Sequence, residues 1–436
     1  MAASKSPVVL FIAIFLIALA FGQSTGKTVR HQRVPVEDTT PPELAQAETS
    51  IEKQDYQTAE PLLQKVVAAK PENYQAWFDL GFVYNGLGKS NESIAAYRKS
   101  VSLKPDVFES NLNLGIMLAK AGQPDAEQFL RAATHLTPTA NIDEGHARAW
   151  LSLGQVLATT KPDEALQAYQ QAATLKPKDP EPHLSAASML EGQDRFADAA
   201  QEYKLALAAD PASTEALTGL ANIYLRGQRF AEAGDVLRKL VLLHPDDAAS
   251  HAQLAGILLN TGKNDEAIAE LETAAKLGPN DAAVARALAD AYVTAGKYDR
   301  AQSQYQVLLS SQPNNAELHH GLGVVLLKLR RFSDAQQEFL NAVRLKPDFG
   351  AAWGDLAVAA DQNQQYELAI KAADMRAKFL PEVPVSYFLR ATAYDHLRDY
   401  KQAAENYRKF LELASGQYPD QEWQARHRLI AIEPKK

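Results

Sequence analysis

Ten prolines divide this chain into segments of nearly constant length. Successive spacings are 34, 33 and 39 residues, and then 34 residues six times. The prolines are Pro71, Pro105, Pro138, Pro177, Pro211, Pro245, Pro279, Pro313, Pro347 and Pro381. A fixed period of about 20–50 residues is typical of repeat proteins, in which small structural units stack on their neighbours. The chain of 436 residues is therefore expected to form an array, since single hydrophobic cores stop growing near roughly 250–300 residues.

Each period contains the pattern of two packed helices. When the proline is counted as position 32, position 8 is always glycine or alanine, and position 20 is always alanine or serine. Positions 4, 7, 8 and 11 share one face of a helix and are mostly apolar, while position 24 supplies large side chains such as Tyr97 and Tyr203. The spacing predicts two amphipathic helices that approach closely at the small residues.

Turn and capping residues agree with this interpretation. Four glycines fall between the two predicted helices of a period, at Gly88, Gly122, Gly262 and Gly296. Position 34 is repeatedly a helix N-cap residue, at Asn73, Asp179, Ser213, Asp247, Asp281 and Asn315. The proline at position 32 cannot extend the second helix, so it is expected to end it.

One period shows the whole pattern most clearly. Its residues are Trp77, Leu80, Gly81, Tyr84, Tyr97 and Pro105. This pattern resembles the tetratricopeptide repeat, and the resemblance extends over about eleven units. It implies an all-α fold, a right-handed superhelical solenoid of stacked antiparallel helix pairs.

The chain can then be divided along its length. We expect a signal peptide at 1–22, a flexible leader at 23–40, repeat units 1–3 at 41–138, an inter-repeat insertion at 139–146, repeat units 4–11 at 147–418, and a capping helix with a tail at 419–436. The insertion is expected to break the stacking locally. The capping helix would cover the apolar end of the array, as terminal repeats require.

The first 22 residues have the layout of a secretory signal peptide. Lys5 supplies a positive charge, residues 8–21 are continuously apolar, and cleavage is expected after Gly22. The alternative is an uncleaved membrane anchor, although fourteen residues span only about 21 Å as a helix against a hydrocarbon core of about 30 Å. Either way we expect export, to the periplasm or the medium.

Composition and spacing disfavour several kinds of chemistry. The net charge is -8 and there is no cysteine, so nucleic-acid binding and thiol chemistry are not expected. No recognised catalytic, metal or nucleotide motif is present, and we expect no cofactor and no enzyme activity. His183, His251 and His319 share position 4 with tryptophans in other units, which indicates packing between helices.

The resemblance implies that partners bind in a concave channel lined by the first helix of each unit. Its positions 5, 9 and 12 give the candidate contact residues Phe78, Phe82, Asn85, Leu112, Ile116, Leu151, Gln155, Asn222, Arg286, Asp290 and His320. Phe78, Phe82, Leu112 and Ile116 would anchor an extended or helical peptide in an exposed apolar groove. The alternative is that neighbouring units bury these residues.

These observations predict a scaffold or adaptor outside the cytoplasm that binds protein or peptide segments. The alternative is a non-catalytic repeat subunit of an envelope enzyme, or of a secretion or polysaccharide-processing complex. The sequence does not identify the partner, because one repeat fold serves many unrelated ligands.

Overall fold

A computed structural model describes Thr28, Arg30 and residues 41–432; the predicted signal peptide and most of the predicted leader lie outside these residues. Within the described residues, all regular secondary structure is helical, in 23 helices. Their bounds are α1 Pro42–Glu52, α2 Tyr56–Ala69, α3 Tyr74–Gly86, α4 Ser90–Leu103, α5 Phe108–Lys120, α6 Ala126–His135, α7 Ile142–Leu157, α8 Pro162–Leu175, α9 Glu181–Gly192, α10 Phe196–Ala209, α11 Thr214–Arg226, α12 Phe230–Leu243, α13 Ala248–Asn260, α14 Asn264–Leu277, α15 Ala282–Thr294, α16 Tyr298–Ser311, α17 Ala316–Lys328, α18 Phe332–Leu345, α19 Gly350–Gln362, α20 Tyr366–Phe379, α21 Pro384–His396, α22 Tyr400–Ala414 and α23 Pro419–Ile432.

The helices pair as the sequence pattern predicts. Each odd-numbered helix up to α21 packs against the even-numbered helix that follows it. The chain forms two compact units: the N-terminal unit ends at Leu243 and contains α1–α12, and the C-terminal unit begins at His244 and contains α13–α23. The predicted all-α array of helix pairs is confirmed.

Small residues at position 8 allow the two helices of a pair to approach closely. A Cβ atom added to Gly154 would lie 2.6 Å from the ring of Tyr169, and one added to Gly323 would lie 2.6 Å from Phe339. Real Cβ atoms do not approach neighbours so closely, so a larger residue would require the aromatic ring to move. The small residue at position 8 therefore contacts the large side chain at position 24 of the same pair.

The turn inside ten of the eleven helix pairs contains a residue with left-handed backbone geometry, and only the described turn between α7 and α8 has none. At Gly88, Gly122, Gly262 and Gly296 the φ angle is 65–76°. The same turn position has positive φ in six further units, although its residue is not glycine: Gln54, Asp194, Gln228, Arg330, Gln364 and Arg398, with φ of 54–62°. The turn geometry is thus a property of the repeat, and glycine satisfies it without steric cost.

Side-chain caps and prolines set most of the helix bounds. The side chains of Asn73, Ser213 and Asp247 each accept a hydrogen bond from a backbone N–H in the first turn of the helix that follows. Asp281 and Asn315 do the same for α15 and α17. At Asp179 the carboxylate accepts from the backbone N–H of Glu181, but Pro180 occupies the N-cap position. Second helices end shortly before the repeat proline, as expected.

The expectation that the insertion breaks the stacking is wrong. Helix α7 already begins at Ile142, and Gly145 sits where a Cβ atom would lie 2.7 Å from Pro138. The ring Nε2 of His146 lies 2.8 Å from the carbonyl oxygen of Leu136. Five of the eight inserted residues therefore lengthen the first helix of this repeat, and Gly145 and His146 keep α7 packed on α6.

Position 4 makes a hydrogen bond that the sequence pattern alone does not reveal. The indole Nε1 of Trp77 donates to the carbonyl oxygen of Pro71 at 2.9 Å, and that of Trp353 donates to Pro347 at 2.8 Å. His319 makes the same contact through Nε2 to Pro313 at 2.9 Å, while its Nδ1 lies 2.6 Å from Glu338. Position 4 thus ties a first helix to the proline that ends the preceding unit, and the predicted packing of this histidine is confirmed.

The final helix packs along one side of α22. Ala425 is fully buried, and Leu429 and Ile432 join the core that contains Phe410. The guanidinium of Arg428 makes two hydrogen bonds of 2.6 Å to the carboxylate of Asp395. Helix α23 therefore covers the end of the last pair, as a capping helix does.

Candidate binding surface

The candidate contact residues lie on the odd-numbered helices, at positions 5, 9 and 12 of each unit. We call the surface formed by these positions the first-helix face. Positions 7, 8 and 11 of the same helices, such as Leu80 and Gly81, are engaged in the core. The name refers to these positions whether their side chains are buried or exposed.

Three of the predicted apolar anchors are not exposed. Phe78, Leu112 and Ile116 have exposed fractions of 3%, 0% and 2%. Phe78 packs on Tyr97, with ring centroids 5.6 Å apart. Leu112 and Ile116 belong to a core that also contains Leu130. All three side chains are buried in this structure, and their contact with a partner stays a prediction.

Helix α5 is the extreme case. Every residue from Phe108 to Leu118 is buried, including the polar Glu109, Asn111 and Asn113. The carboxylate of Glu109 accepts hydrogen bonds of 2.8 and 2.7 Å from the backbone N–H and the hydroxyl of Thr139. Buried polar groups need such partners, and this pair of hydrogen bonds ties α5 to the segment before α7.

Other candidate residues of the N-terminal unit remain accessible. Phe82, Asn85, Leu151 and Gln155 are half-buried, and Asn222 is exposed. Their helices are held by buried residues on the opposite side, so the positions of these side chains are fixed by the fold. A partner could reach them without unpacking a helix pair.

In the C-terminal unit the first-helix face is charged. The guanidinium of Arg286 donates from Nε to Asp290 at 3.0 Å, one helical turn away, and lies 5.8 Å from the ring centroid of Tyr305. The Tyr305 hydroxyl donates to the second carboxylate oxygen of Asp290. Burial, with the negative charge of Asp290 beside it, raises the pKa of Tyr305 above its usual range, so the hydroxyl stays protonated and donating.

His320 forms a second polar group on this face. Its Nε2 lies 2.8 Å from a carboxylate oxygen of Asp355 on α19. The ring also packs against Phe349 and Phe339, with centroid distances of 4.9 and 5.7 Å. This pair links α17 to α19, and sequence spacing did not predict Asp355 as its partner.

A residue of the leader contacts the first-helix face of the N-terminal unit. The side-chain amide of Asn85 donates to the hydroxyl oxygen of Thr28 at 3.1 Å. Thr28 is half-buried, and its hydroxyl lies close enough to Tyr97 to lower the pKa of that phenol, which burial raises. Asn85 was predicted as a contact residue, but Thr28 was not, because nothing in a polar segment without periodicity indicates where it binds.

Among the described residues, no group of three or more histidine, aspartate or glutamate side chains is arranged to hold a metal ion. In the same part of the chain, no helix is both long enough and apolar enough to cross a membrane.

Tandem helix hairpins of this length define a helical-repeat protein, a class whose members serve as protein-interaction scaffolds. Three family models described as tetratricopeptide repeat match this chain. They cover residues 190–257 and 228–291, residues 158–214, 286–332 and 320–384, and residues 384–417. Together they run from 158 to 417, more than half of the chain, which belongs to the tetratricopeptide-repeat family. Scaffolds of this family are generally non-catalytic.

A further family model, described as the middle TPR-like domain of cilia and flagella-associated protein 70, matches residues 43–176. Tetratricopeptide repeat protein 37 of Xenopus laevis is 30% identical over 87 residues, which are 20% of this chain and 6% of that protein. The protein CTR9 homolog of Arabidopsis thaliana is 32% identical over 103 residues, 23% of this chain and 9% of that protein. The chain thus spans less than a tenth of these relatives. Among solved structures, YrrB, described as a TPR protein with an unusual peptide-binding site, has 22% identity and a TM-score of 0.39, covering 43% of this chain and 96% of its own.

Proposed function

We propose that this protein is a scaffold outside the cytoplasm that binds extended protein segments on its first-helix face. The observation that most supports the proposal is the hydrogen bond between Asn85 and Thr28. A residue that lies outside the repeats is held by a side chain at position 12 of a first helix. The face can therefore accept a segment that is not part of the helical array.

The accessible side chains suit such a role. Leu151, Gln155 and Asn222 offer one apolar and two amide groups in the N-terminal unit. Amide side chains both donate and accept hydrogen bonds, which fits the N–H and C=O groups of an extended backbone. In the C-terminal unit, Arg286 and Asp290 add charge that can select among partners.

The binding face can be tested by adding bulky charge to it. We expect the double variant Gln155→Arg with Asn222→Arg to lose capture of envelope proteins, because two guanidinium groups would stand where partner backbone must approach. The matched control is Gln170→Arg with Gln201→Arg, which places the same groups at exposed sites of α8 and α10. Both double variants should retain the helical circular dichroism of the wild type.

Capture is measured by affinity purification from an envelope fraction, followed by mass spectrometry and by binding assays with each purified partner. If the first-helix variant binds partners as the wild type does, while the second-helix control loses them, the proposed face is wrong. Partners that bind neither variant would also contradict it, since charge on second helices should have no effect.

The proposed location rests on the signal-peptide pattern of residues 1–22. We expect the mature protein in the periplasm or the medium, with Gln23 as its first residue. Mass spectrometry of the purified protein from its native source measures this directly. A retained Met1 with membrane fractionation would support the anchored alternative, and recovery from the cytoplasm would contradict export.

A second candidate is a non-catalytic repeat subunit of an envelope enzyme. The ion pair Arg286–Asp290 and the hydrogen-bonded pair His320–Asp355 favour it, because fixed polar groups on a surface can orient a large folded partner. In that case the captured protein would be an enzyme, and Arg286→Ala would weaken its binding more than Gln155→Arg does.

A further inference from the structure

The tyrosine at position 24 shows a recurring contact along the array. In two units its hydroxyl donates directly to a carboxylate at position 12 of the same unit. Tyr203 donates to Glu191 at 2.5 Å, and Tyr407 donates to Asp395 at 3.3 Å. The repeat therefore brings a buried phenol and a position-12 side chain together across the helix pair.

The unit formed by α3 and α4 departs from this arrangement. Position 12 is Asn85, and its amide donates to the hydroxyl of Thr28. The hydroxyl oxygen accepts from Asn85, so its own proton is available for the phenolic oxygen of Tyr97. The leader thus supplies a hydroxyl that can donate to the phenolic oxygen, whereas in the other two units a carboxylate accepts from the tyrosine hydroxyl.

The surroundings of this hydroxyl are buried and polar. Tyr97 and Asn113 both have an exposed fraction of 0%. The Asn113 amide donates to the Tyr97 oxygen at 3.3 Å. Burial raises the pKa of Tyr97, while the hydrogen bonds from Thr28 and Asn113 lower it. A side chain that binds here must hydrogen-bond with Tyr97 and Asn113, because neither residue can reach water. The site should therefore select a polar group over an apolar one.

A second contact fixes the leader two residues further on. The guanidinium of Arg30 lies 3.5 Å from the carboxylate of Glu52 and donates to the backbone carbonyl of Glu48 at 3.4 Å. Both residues lie on α1, which is another first helix. Thr28 and Arg30 thus contact two different first helices, α3 and α1, which both belong to the N-terminal compact unit.

We propose that Asn85, Tyr97 and Asn113 form a recognition site for a threonine or serine hydroxyl, and that the leader of this chain occupies the site through Thr28. The inference deepens the proposed function: the class of partner is an extended segment with a hydroxyl residue followed two positions later by a basic residue. A partner of this class competes with the leader for the same face.

Loss of the hydroxyl should be costly at this site. A valine at 28 has the size of threonine but neither donates nor accepts, so the Asn85 amide would lose its partner. Recognition should therefore discriminate between threonine and valine more strongly than their similar volumes suggest.

The first experiment tests the position of the leader in the full chain. Because the chain has no cysteine, the pair Thr28→Cys with Asn85→Cys can be joined selectively by a short bismaleimide reagent. We expect crosslinking of most molecules for this pair and little for Thr28→Cys with Gln155→Cys, which places the second thiol on α7. Equal crosslinking of the two pairs would overturn the placement of Thr28.

The second experiment tests the chemistry of the site. A fluorescent peptide with the sequence of residues 24–32 is added to the full chain carrying Thr28→Val, which weakens the competing leader. We expect the peptide to bind about three- to tenfold tighter than its Thr28→Val form, the ratio for one hydrogen bond. The additional substitution Asn85→Leu in the protein should remove this preference.

Equal binding of the two peptides, or binding of neither, would overturn the hydroxyl site. The result is independent of the test of the first-helix face, which uses Gln155 and Asn222 on other helices. Suppose that the Gln155→Arg, Asn222→Arg variant loses its partners but the two peptides bind equally. The proposed function would then be supported, and only the hydroxyl site at Asn85 would be rejected.

Discussion

Helices α5 and α15 occupy the same place in their repeats but meet different surroundings. In the N-terminal unit, α5 is buried from Phe108 to Leu118 on every side. In the C-terminal unit, α15 leaves Arg286 and Asp290 half-buried at the same positions 5 and 9. The periodicity of the sequence specifies where a helix lies and which face packs on its own pair. The other face differs between the two helices: the apolar Leu112 at position 5 of α5 is buried, and the charged Arg286 at position 5 of α15 is half-buried.

The largest expected effect separates the two helices. Leu112→Ala on α5 should lower the free energy of unfolding by about 2–5 kcal/mol, because it leaves a cavity in a fully buried site. Arg286→Ala, at the same repeat position on α15, should cost less than about 1 kcal/mol, since its ion pair is partly exposed to water. Urea unfolding followed by circular dichroism measures both. Equal losses would contradict the distinction between core and surface at position 5.

The contact between positions 8 and 24 should contribute similarly to stability in the N-terminal and the C-terminal unit. Gly154→Ala in the N-terminal unit and Gly323→Ala in the C-terminal unit should each cost about 1–3 kcal/mol through overpacking against Tyr169 and Phe339. Gly192→Ala is the control, because a Cβ atom there meets nothing within 4 Å. Thermal unfolding compares the three variants. A neutral result at Gly154 or Gly323 would show that the helices can separate without cost.

The hydrogen bond from position 4 to the repeat proline should also be common to both regions. Trp77→Phe and Trp353→Phe remove the donor to the carbonyls of Pro71 and Pro347, at a cost of about 0.5–1.5 kcal/mol each. Trp423→Phe on α23 should change little, since that side chain is 60% exposed. Urea unfolding of the three variants provides the comparison. A loss at Trp423 as large as at Trp77 would contradict a specific role for this bond.

The smallest expected effect is a gain. Gln54→Gly in the N-terminal unit and Gln364→Gly in the C-terminal unit relieve left-handed backbone geometry at φ of 57° and 59°. Each should raise the free energy of unfolding by about 0.5–1 kcal/mol, the steric relief less the entropic cost of glycine. The reverse change Gly88→Gln should lose a similar amount. Thermal unfolding measures all three, and a loss on introducing glycine would contradict the shared turn geometry.

The fold was predictable because its determinants are periodic. The spacing of Pro71 and its equivalents placed the helix ends, and glycine or alanine at position 8 placed the closest helix contact. Such features repeat with every unit, so each one reinforces the others. The effect of the insertion was predicted wrongly because the sequence shows only its length. It does not show that Gly145 packs against Pro138 or that the inserted residues extend α7.

The binding face was predictable only in part, because accessibility depends on neighbouring units. Apolar character at Phe78, Leu112 and Ile116 is compatible with an exposed groove and with a core, and the structure places all three in the core. Polar residues such as Asn222 leave less ambiguity, since burying an unpaired amide is costly. Thr28 could not be identified from the sequence, since its contacts join residues 57 positions apart outside any repeat.

The most direct test of the central claim uses a photo-crosslinking amino acid placed at one position at a time in the full chain. On the first-helix face we choose Gln155 and Asn222, and on second helices the exposed Leu205 and Val307. We expect partner proteins to crosslink to 155 and 222 but not to 205 or 307. Crosslinks confined to 205 and 307 would contradict binding on the first-helix face.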